Sequence, residues 1–179
     1  MTGRDAAGHR QVTLVLGGAR SGKSRYAESL IEALPPPWIY LATAEARDAE
    51  MEERIAAHRA RRSKDWRTIE APHDLAGALS GIPAGSAVLI DCLTLWLSNR
   101  MLAEADMDRE IDKLESVLVN HDGTTVLVAN EVGSGVVPDN PLARRFRDSQ
   151  GTLNQRIAAR AFRVVFMVAG LPLHVKGAP

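Results

Sequence analysis

Cysteine is nearly absent: Cys92 is the single one in 179 residues, so no disulfide can form within the chain. That usage suits a reducing compartment and sets the expectation of a cytoplasmic protein. Net charge is also missing, 22 basic residues balancing 22 acidic ones, and nothing in that balance favours a nucleic acid or an acidic membrane as partner. No apolar run approaches the ~20 residues of a membrane-spanning helix. Residues 1–11 are polar, without the apolar core of a signal peptide, and are expected to be a disordered tail ahead of one domain over residues 12–179. No H-x-x-x-H or C-x-x-C pattern suggests zinc. No G-x-S-x-G elbow suggests a serine hydrolase. Repeats, heptads and low-complexity segments are lacking too.

What is present is concentrated in Val12–Leu34. Val12, Leu14, Val15 and Leu16 read as a buried strand. The strand breaks at Gly17-Gly18, and Gly17-Gly18-Ala19-Arg20-Ser21-Gly22-Lys23-Ser24 fits G-x-x-x-x-G-K-[ST] in full. Ala27, Leu30, Ile31 and Leu34 then recur at helical spacing. Strand, glycine-rich turn and helix are the context a phosphate-binding loop requires, because its amides and the helix start favour an anion. Lys23 is placed to reach β- and γ-phosphates, and the Ser24 hydroxyl to hold Mg²⁺. The expected ligand is a nucleoside triphosphate.

Pro35, Pro36 and Pro37 end the first helix. Trp38–Ala42 read as the second strand, with Thr43 at its C-terminal end, the edge where ligands sit in an open parallel sheet. Asp48 caps a helix expected from Ala49 to Arg62, with Met51 and Ile55 packing inward and Glu50 pairing with Arg54. Arg54, His58 and Arg62 stand one above another on that helix, with Arg61 beside them. The group reads either as a solvated basic stripe or as a phosphate-handling face. Trp66–Glu70 suggest a short strand, and Leu75, Ala76 and Leu79 a short helix.

Ala87–Ile90 form another buried strand that delivers Asp91 to the same edge. This is the Walker B arrangement, in which the carboxylate holds Mg²⁺ directly or through water; the alternative is a helix-capping aspartate. Leu93 to Met101 read as a largely buried connection. Met107, Ile111, Leu114 and Leu118 mark an amphipathic helix, and Thr124–Ala129 the next central strand. Glu131 follows in a glycine-rich loop and could position water, reach a metal through water or form a salt bridge. Asn140-Pro141 start a long polar helix or helix pair. Arg163–Ala169 read as the last strand, ended by Gly170, Leu171 and Pro172, with a short tail beyond. The βα units argue for an α/β chain with a parallel sheet and helices on both faces.

These blocks, in this order, resemble the bifunctional adenosylcobinamide kinase/adenosylcobinamide-phosphate guanylyltransferases of cobalamin biosynthesis. Besides the P-loop, the matching pieces are Tyr40-Leu41-Ala42-Thr43-Ala44, then Glu50-Met51, Arg54-Ile55, His58 and Arg61-Arg62, and then Trp66-Arg67-Thr68 with Glu70. Asp91-Cys92-Leu93-Thr94, Asn130-Glu131-Val132-Gly133, Val136-Val137-Pro138, Arg147-Asp148 and Asn154-Gln155-Arg156 follow. The resemblance implies a RecA-like P-loop NTPase with a mostly parallel central sheet, assembled as a homotrimer. It implies phosphorylation of the aminopropanol hydroxyl of a corrinoid substrate by ATP or GTP. It also implies transfer of GMP from GTP through a guanylylated histidine, which here falls on His58. Imidazole is a competent nucleophile when neutral, and Arg54, Arg61 and Arg62 would stabilise the transferring phosphoryl oxygens. Glu70, Asp91 and Glu131 join the P-loop as nucleotide-site residues by the same resemblance. Ala57 stands where some relatives carry an additional histidine. The residues taken alone also fit a simpler small-molecule kinase, which would form no GMP adduct, or a nucleotide-dependent assembly subunit, which would make no small-molecule product.

Overall fold

Short aliphatic runs dictate the centre of the molecule, and their residues alternate between two cores. In the computed structural model, which describes residues 11–46, 48–60 and 62–177, the chain runs as follows. The order is β1 (Val12–Gly17), α1 (Lys23–Glu32), β2 (Trp38–Ala42), α2 (Ala49–Ala60), β3 (Trp66–Glu70), α3 (Leu75–Ser80), β4 (Ala87–Asp91), α4 (Leu93–Leu102), α5 (Met107–Asn120), β5 (Thr125–Asn130), α6 (Pro141–Arg160), β6 (Arg163–Val168) and β7 (Leu171–Lys176). The strands make one seven-stranded sheet in the order β3-β2-β4-β5-β1-β6-β7. Every neighbouring pair is parallel except β6 with β7.

Leu14, Ile39, Leu41, Val88, Ile90 and Leu127 point to one face and pack with Leu75 and Leu79 of α3, Trp96 and Leu97 of α4, Ile111 and Leu114 of α5, and Leu153 and Ile157 of α6. Val15, Trp38, Tyr40, Leu89, Val126 and Val128 point to the other face and meet Ala27 and Ile31 of α1. A strand buried on both faces needs this continuous apolar reading, which is why the runs lack a polar alternation. The register aligns the strand ends: Gly17 pairs with Asn130, Ala42 with Asp91, and Ala42 with Glu70. One edge of the sheet therefore gathers the P-loop, Asn130, Asp91, Ala42 and Glu70.

Several elements differ from the sequence expectations. Leu171–Lys176 is a strand and not part of a tail; Pro172 is tolerated because β7 is an edge strand that pairs only with β6. Leu93–Leu102 is a helix, buried nearly all round through Leu93, Thr94, Trp96, Leu97 and Asn99. α6 is one helix of 20 residues, started by Asn140, whose side chain accepts from the Leu142 and Ala143 amides. Asp48 does cap α2, accepting from the Met51 amide at 2.8 Å. α2 nevertheless ends at Ala60, so Arg62 is not on it. Met51 and Ile55 are only half-buried and belong to neither core, so the inward packing expected of them is not found. The Gln11 backbone carbonyl accepts from Thr125 and its side chain from Thr124, so Gln11 belongs to the fold. Residues 1–10, Arg47, the Arg54 side chain and Arg61 lie outside the described residues, and with them the tail, the Glu50–Arg54 pair and two members of the basic group.

Candidate active site

The P-loop is built by conformations that side chains rarely adopt. Gly17 has φ +153°, and a Cβ there would stand 2.7 Å from both the Met167 carbonyl oxygen and Ser21 Oγ. Gly22 has φ +93° immediately before α1, where only glycine is unstrained. Lys23, at 7 % exposure, turns its ammonium into the loop and donates to the Gly18 carbonyl at 2.5 Å. Burial lowers its pKa, while Cys92 and Asp91 beside it pull the other way. Ser21 Oγ is buried without a hydrogen-bond partner among the described residues. A buried hydroxyl left unmet inside a P-loop fits an arriving phosphate oxygen. The turn between β6 and β7, which the sequence reading treated as a terminator, buttresses the loop: the Gly170 amide donates to the Ser21 carbonyl at 3.1 Å. The positive φ of Ala169 and Gly170 marks that tight turn.

Asp91 ends β4, two strands away from β1 because β5 lies between. At the usual strand spacing that is about 9–10 Å, room for phosphate and a hydrated ion. Asp91 is half-buried and accepts from the Tyr40 hydroxyl at 3.0 Å. Burial, and then the negative Asp91, push the Tyr40 phenol far above its ordinary pKa, so it remains a donor. Asp91 does not cap a helix; α4 starts at Leu93 with Cys92 as its cap. The Cys92 thiol is pushed up to about 12, first by burial and then by Asp91, which makes it inert as a nucleophile. Thr43, fully buried, fixes the residue after Asp91: its hydroxyl accepts from the Cys92 amide and donates to the Cys92 carbonyl, both at 2.7 Å. Asn99 of α4 donates to the Thr43 and Pro72 carbonyls at 2.9 and 3.1 Å.

The end of β5 is pinned similarly. The Asn130 amide donates to Thr94 Oγ1 at 2.7 Å, and Asn154, itself bonded to Gln150, donates to the Asn130 carbonyl. The Glu131 amide donates to Gly17 O at 3.0 Å, fastening the next loop to the P-loop. Its carboxylate is turned back on that loop, accepting from the Gly133 and Ser134 amides. These partners of Tyr40, Thr43, Thr94, Asn99 and Asn154 are distant in sequence. The only sequence signal for them is a polar residue amid an apolar run, as at Thr43 and Asn99.

The basic group resolves differently from the helical stripe expected of it. His58 is half-buried near the end of α2, about 14 Å along the helix from Ala49 at 1.5 Å per residue. Arg62, four residues on, lies over the Tyr40 ring at 3.6 Å from its centroid. Its Nε and Nη1 are buried without hydrogen-bond partners among the described residues. Arg62, Tyr40 and Asp91 thus form a connected line from the exit of α2 to the end of β4. Glu70 is exposed at the end of β3, in register with Ala42 and two strands from Asp91. Glu45 and His73 join the exits of β2 and β3 at 2.7 Å.

Residues 13–175 match the family described as cobinamide kinase / cobinamide phosphate guanyltransferase. The chain belongs to this family. It is 51% identical over 169 residues to the bifunctional adenosylcobalamin biosynthesis protein CobP of Pseudomonas aeruginosa, covering 93% of this chain and 98% of that one. It is 40% identical over 179 residues to the protein CobU of Salmonella typhimurium, covering 91% and 98%. The fold extends further. A prototypical ATPase of a bacterial type III secretion system superposes with a TM-score of 0.54 at 11% identity, over 92% of this chain and 56% of the longer ATPase chain. A Pyrococcus horikoshii protein, PH0250, gives 0.56 at 6% identity, over 94% and 87%. The fold is therefore shared with proteins of very low sequence identity to this chain.

Proposed function

We propose that this chain phosphorylates the aminopropanol hydroxyl of adenosylcobinamide and then converts the product to adenosylcobinamide-GDP. The observation that carries the first step is the closed P-loop with Lys23 inside it and Asp91 on the far side of β5 at the same sheet edge. ATP or GTP would lie with its phosphates in Gly17–Ser24, and Lys23 would exchange the Gly18 carbonyl for phosphoryl oxygens. Among the described residues no three His, Cys, Asp or Glu side chains gather. A Mg²⁺ ion here would take Ser24 and Asp91 as its protein partners and fill its shell with phosphate and water oxygens, neutralising charge on the transferring group.

In the second reaction a ring nitrogen of neutral His58 attacks the α-phosphorus of GTP. The bond to the bridging oxygen breaks, pyrophosphate leaves, and the other ring nitrogen gives up its proton. A phosphate oxygen of adenosylcobinamide phosphate then attacks the same phosphorus, the other ring nitrogen takes a proton back, the P–N bond breaks, and neutral imidazole is released. Arg62, with two unmet donors, supports this reading, as do Arg54 and Arg61 by their place in the sequence. Glu70 and Glu131 are proposed to complete the nucleotide site from the ends of β3 and β5. Assembly as a homotrimer and a cytoplasmic location belong to the same reading; no helix of the described residues is long and apolar enough to cross a membrane. The experiment is incubation with adenosylcobinamide, GTP and Mg²⁺, with mass spectrometry of the corrinoid. The expected result is sequential gain of phosphate and of GMP. A corrinoid that gains neither overturns the proposal, and one that gains only phosphate removes the second reaction.

A further inference from the structure

The loop after β5 exposes apolar side chains where a soluble protein gains nothing from them. Val136 is 94 % exposed and Val137 57 %, and Leu142, in the first turn of α6, is 49 % exposed. Single exposed valines are ordinary, but adjacent ones beside a binding site mark a surface awaiting a ligand. The loop is held firmly at both ends. The Glu131 amide is bonded to Gly17 O at its start, and its carboxylate gathers the amides of Gly133 and Ser134. At its exit Arg144 donates to the carbonyls of Pro138 and Asp139 at 2.9 and 2.6 Å. The chain is thus committed to presenting this tip, one strand away from the P-loop.

Gly135 adds an independent observation. Its φ is not positive, and a Cβ built on it meets nothing within 4 Å. Neither backbone conformation nor a protein neighbour requires glycine there, and the bare backbone leaves room for close approach of a ligand. The phosphoryl acceptor has to sit beside the P-loop, and in the proposed reaction that acceptor hangs from a broad macrocycle whose rim carries amides and whose ring face is apolar. We propose, resting on that functional reading, that the tip Gly135-Val136-Val137, with Leu142, is the platform on which the corrin ring lies. Its continuity with Gly17 sets the aminopropanol arm against the nucleotide phosphates. The bare backbone at Gly135 lets the ring edge approach.

The test uses the full-length protein, wild type, V136S/V137S and Gly135→Ala, with adenosylcobinamide in equilibrium dialysis without nucleotide, read by the corrinoid's visible absorption. The double variant is expected to bind about tenfold more weakly, from two partly covered valines. Gly135→Ala, which disturbs no protein contact, is expected to weaken binding too. The thermal midpoint and the KM for ATP stay at wild-type values in both. Unchanged corrinoid affinity in V136S/V137S overturns the platform. A fall in affinity accompanied by loss of assembly in sedimentation also overturns it, since the valines would then join copies of the chain. Wild-type protein that binds no adenosylcobinamide fails the functional reading itself, and the platform with it.

Discussion

Ile157 of α6 is completely buried in one of the two cores, whereas Ile55 of α2 is half-buried and belongs to neither. The contrast extends to everything around them. At the β1, β4 and β5 ends, backbone groups are fixed by Thr43, Thr94, Asn99 and Asn154, and the P-loop leans on Gly170. α2 is held at its ends by the Asp48 cap and the Glu45–His73 pair before it and by Arg62 on Tyr40 after it. Phosphoryl transfer by positioning alone needs preorganised donors, and it is placed on the rigid part. The proposed nucleophile, His58, lies on α2, none of whose described residues joins either core. Segments that move are drawn from such low-stability regions.

The sharpest break in this contrast comes from Lys23→Ala. Loss of a phosphate-directed cation from a preorganised site should lower kinase turnover about 10²- to 10³-fold, measured with adenosylcobinamide and ATP. Near-normal turnover would remove the P-loop from the chemistry. Second in size is one substitution made on both helices. Ile157→Ala should cost about 2–5 kcal/mol, a fall of about 4–20 °C in thermal midpoint for a chain of this length. Ile55→Ala should cost less than about 1 kcal/mol. Equal losses in calorimetry would show α2 to be as firmly packed as α6.

The smallest effect tests the charged seam that binds α5 to α6. Glu115 accepts from Arg156 at 2.9 Å and Arg160 at 3.3 Å, and those bonds, Arg156 first, hold its carboxyl below the ordinary 4.5. Its folded pKa is depressed, so its contribution is complete above the unfolded pKa and fades as pH falls through the folded one. Glu115→Gln should cost about 1 kcal/mol at neutral pH. The difference from wild type should shrink below pH 4.5. A difference that stays constant into acid would assign the loss to packing.

The contiguous features were legible in the sequence: the P-loop, the strands carrying Asp91 and Asn130, and the amphipathic α5 each announce themselves within a short window. α4 was not, because a helix buried nearly all round has no period to detect. β7 was hidden by Gly170 and Pro172, whose usual reading as breakers gives way at a sheet edge. Arg62 was assigned to the helix by spacing alone; the true end of α2 lets it reach a ring in another strand. Tyr40 with Asp91, and Thr43 with Cys92, are joined only by strand order, across 51 and 49 residues. No local pattern encodes such pairs.

The division of labour between the P-loop and α2 is tested most directly in His58→Ala. Wild type and variant are incubated with α-labelled GTP and Mg²⁺, the protein-bound label is counted, and kinase turnover is measured on the same preparations. The expected result is loss of an acid-labile, base-stable GMP adduct and of guanylyl transfer, with kinase activity retained. Label persisting on the variant would move the nucleophile to another residue, and parallel loss of both activities would contradict the separation of the two reactions.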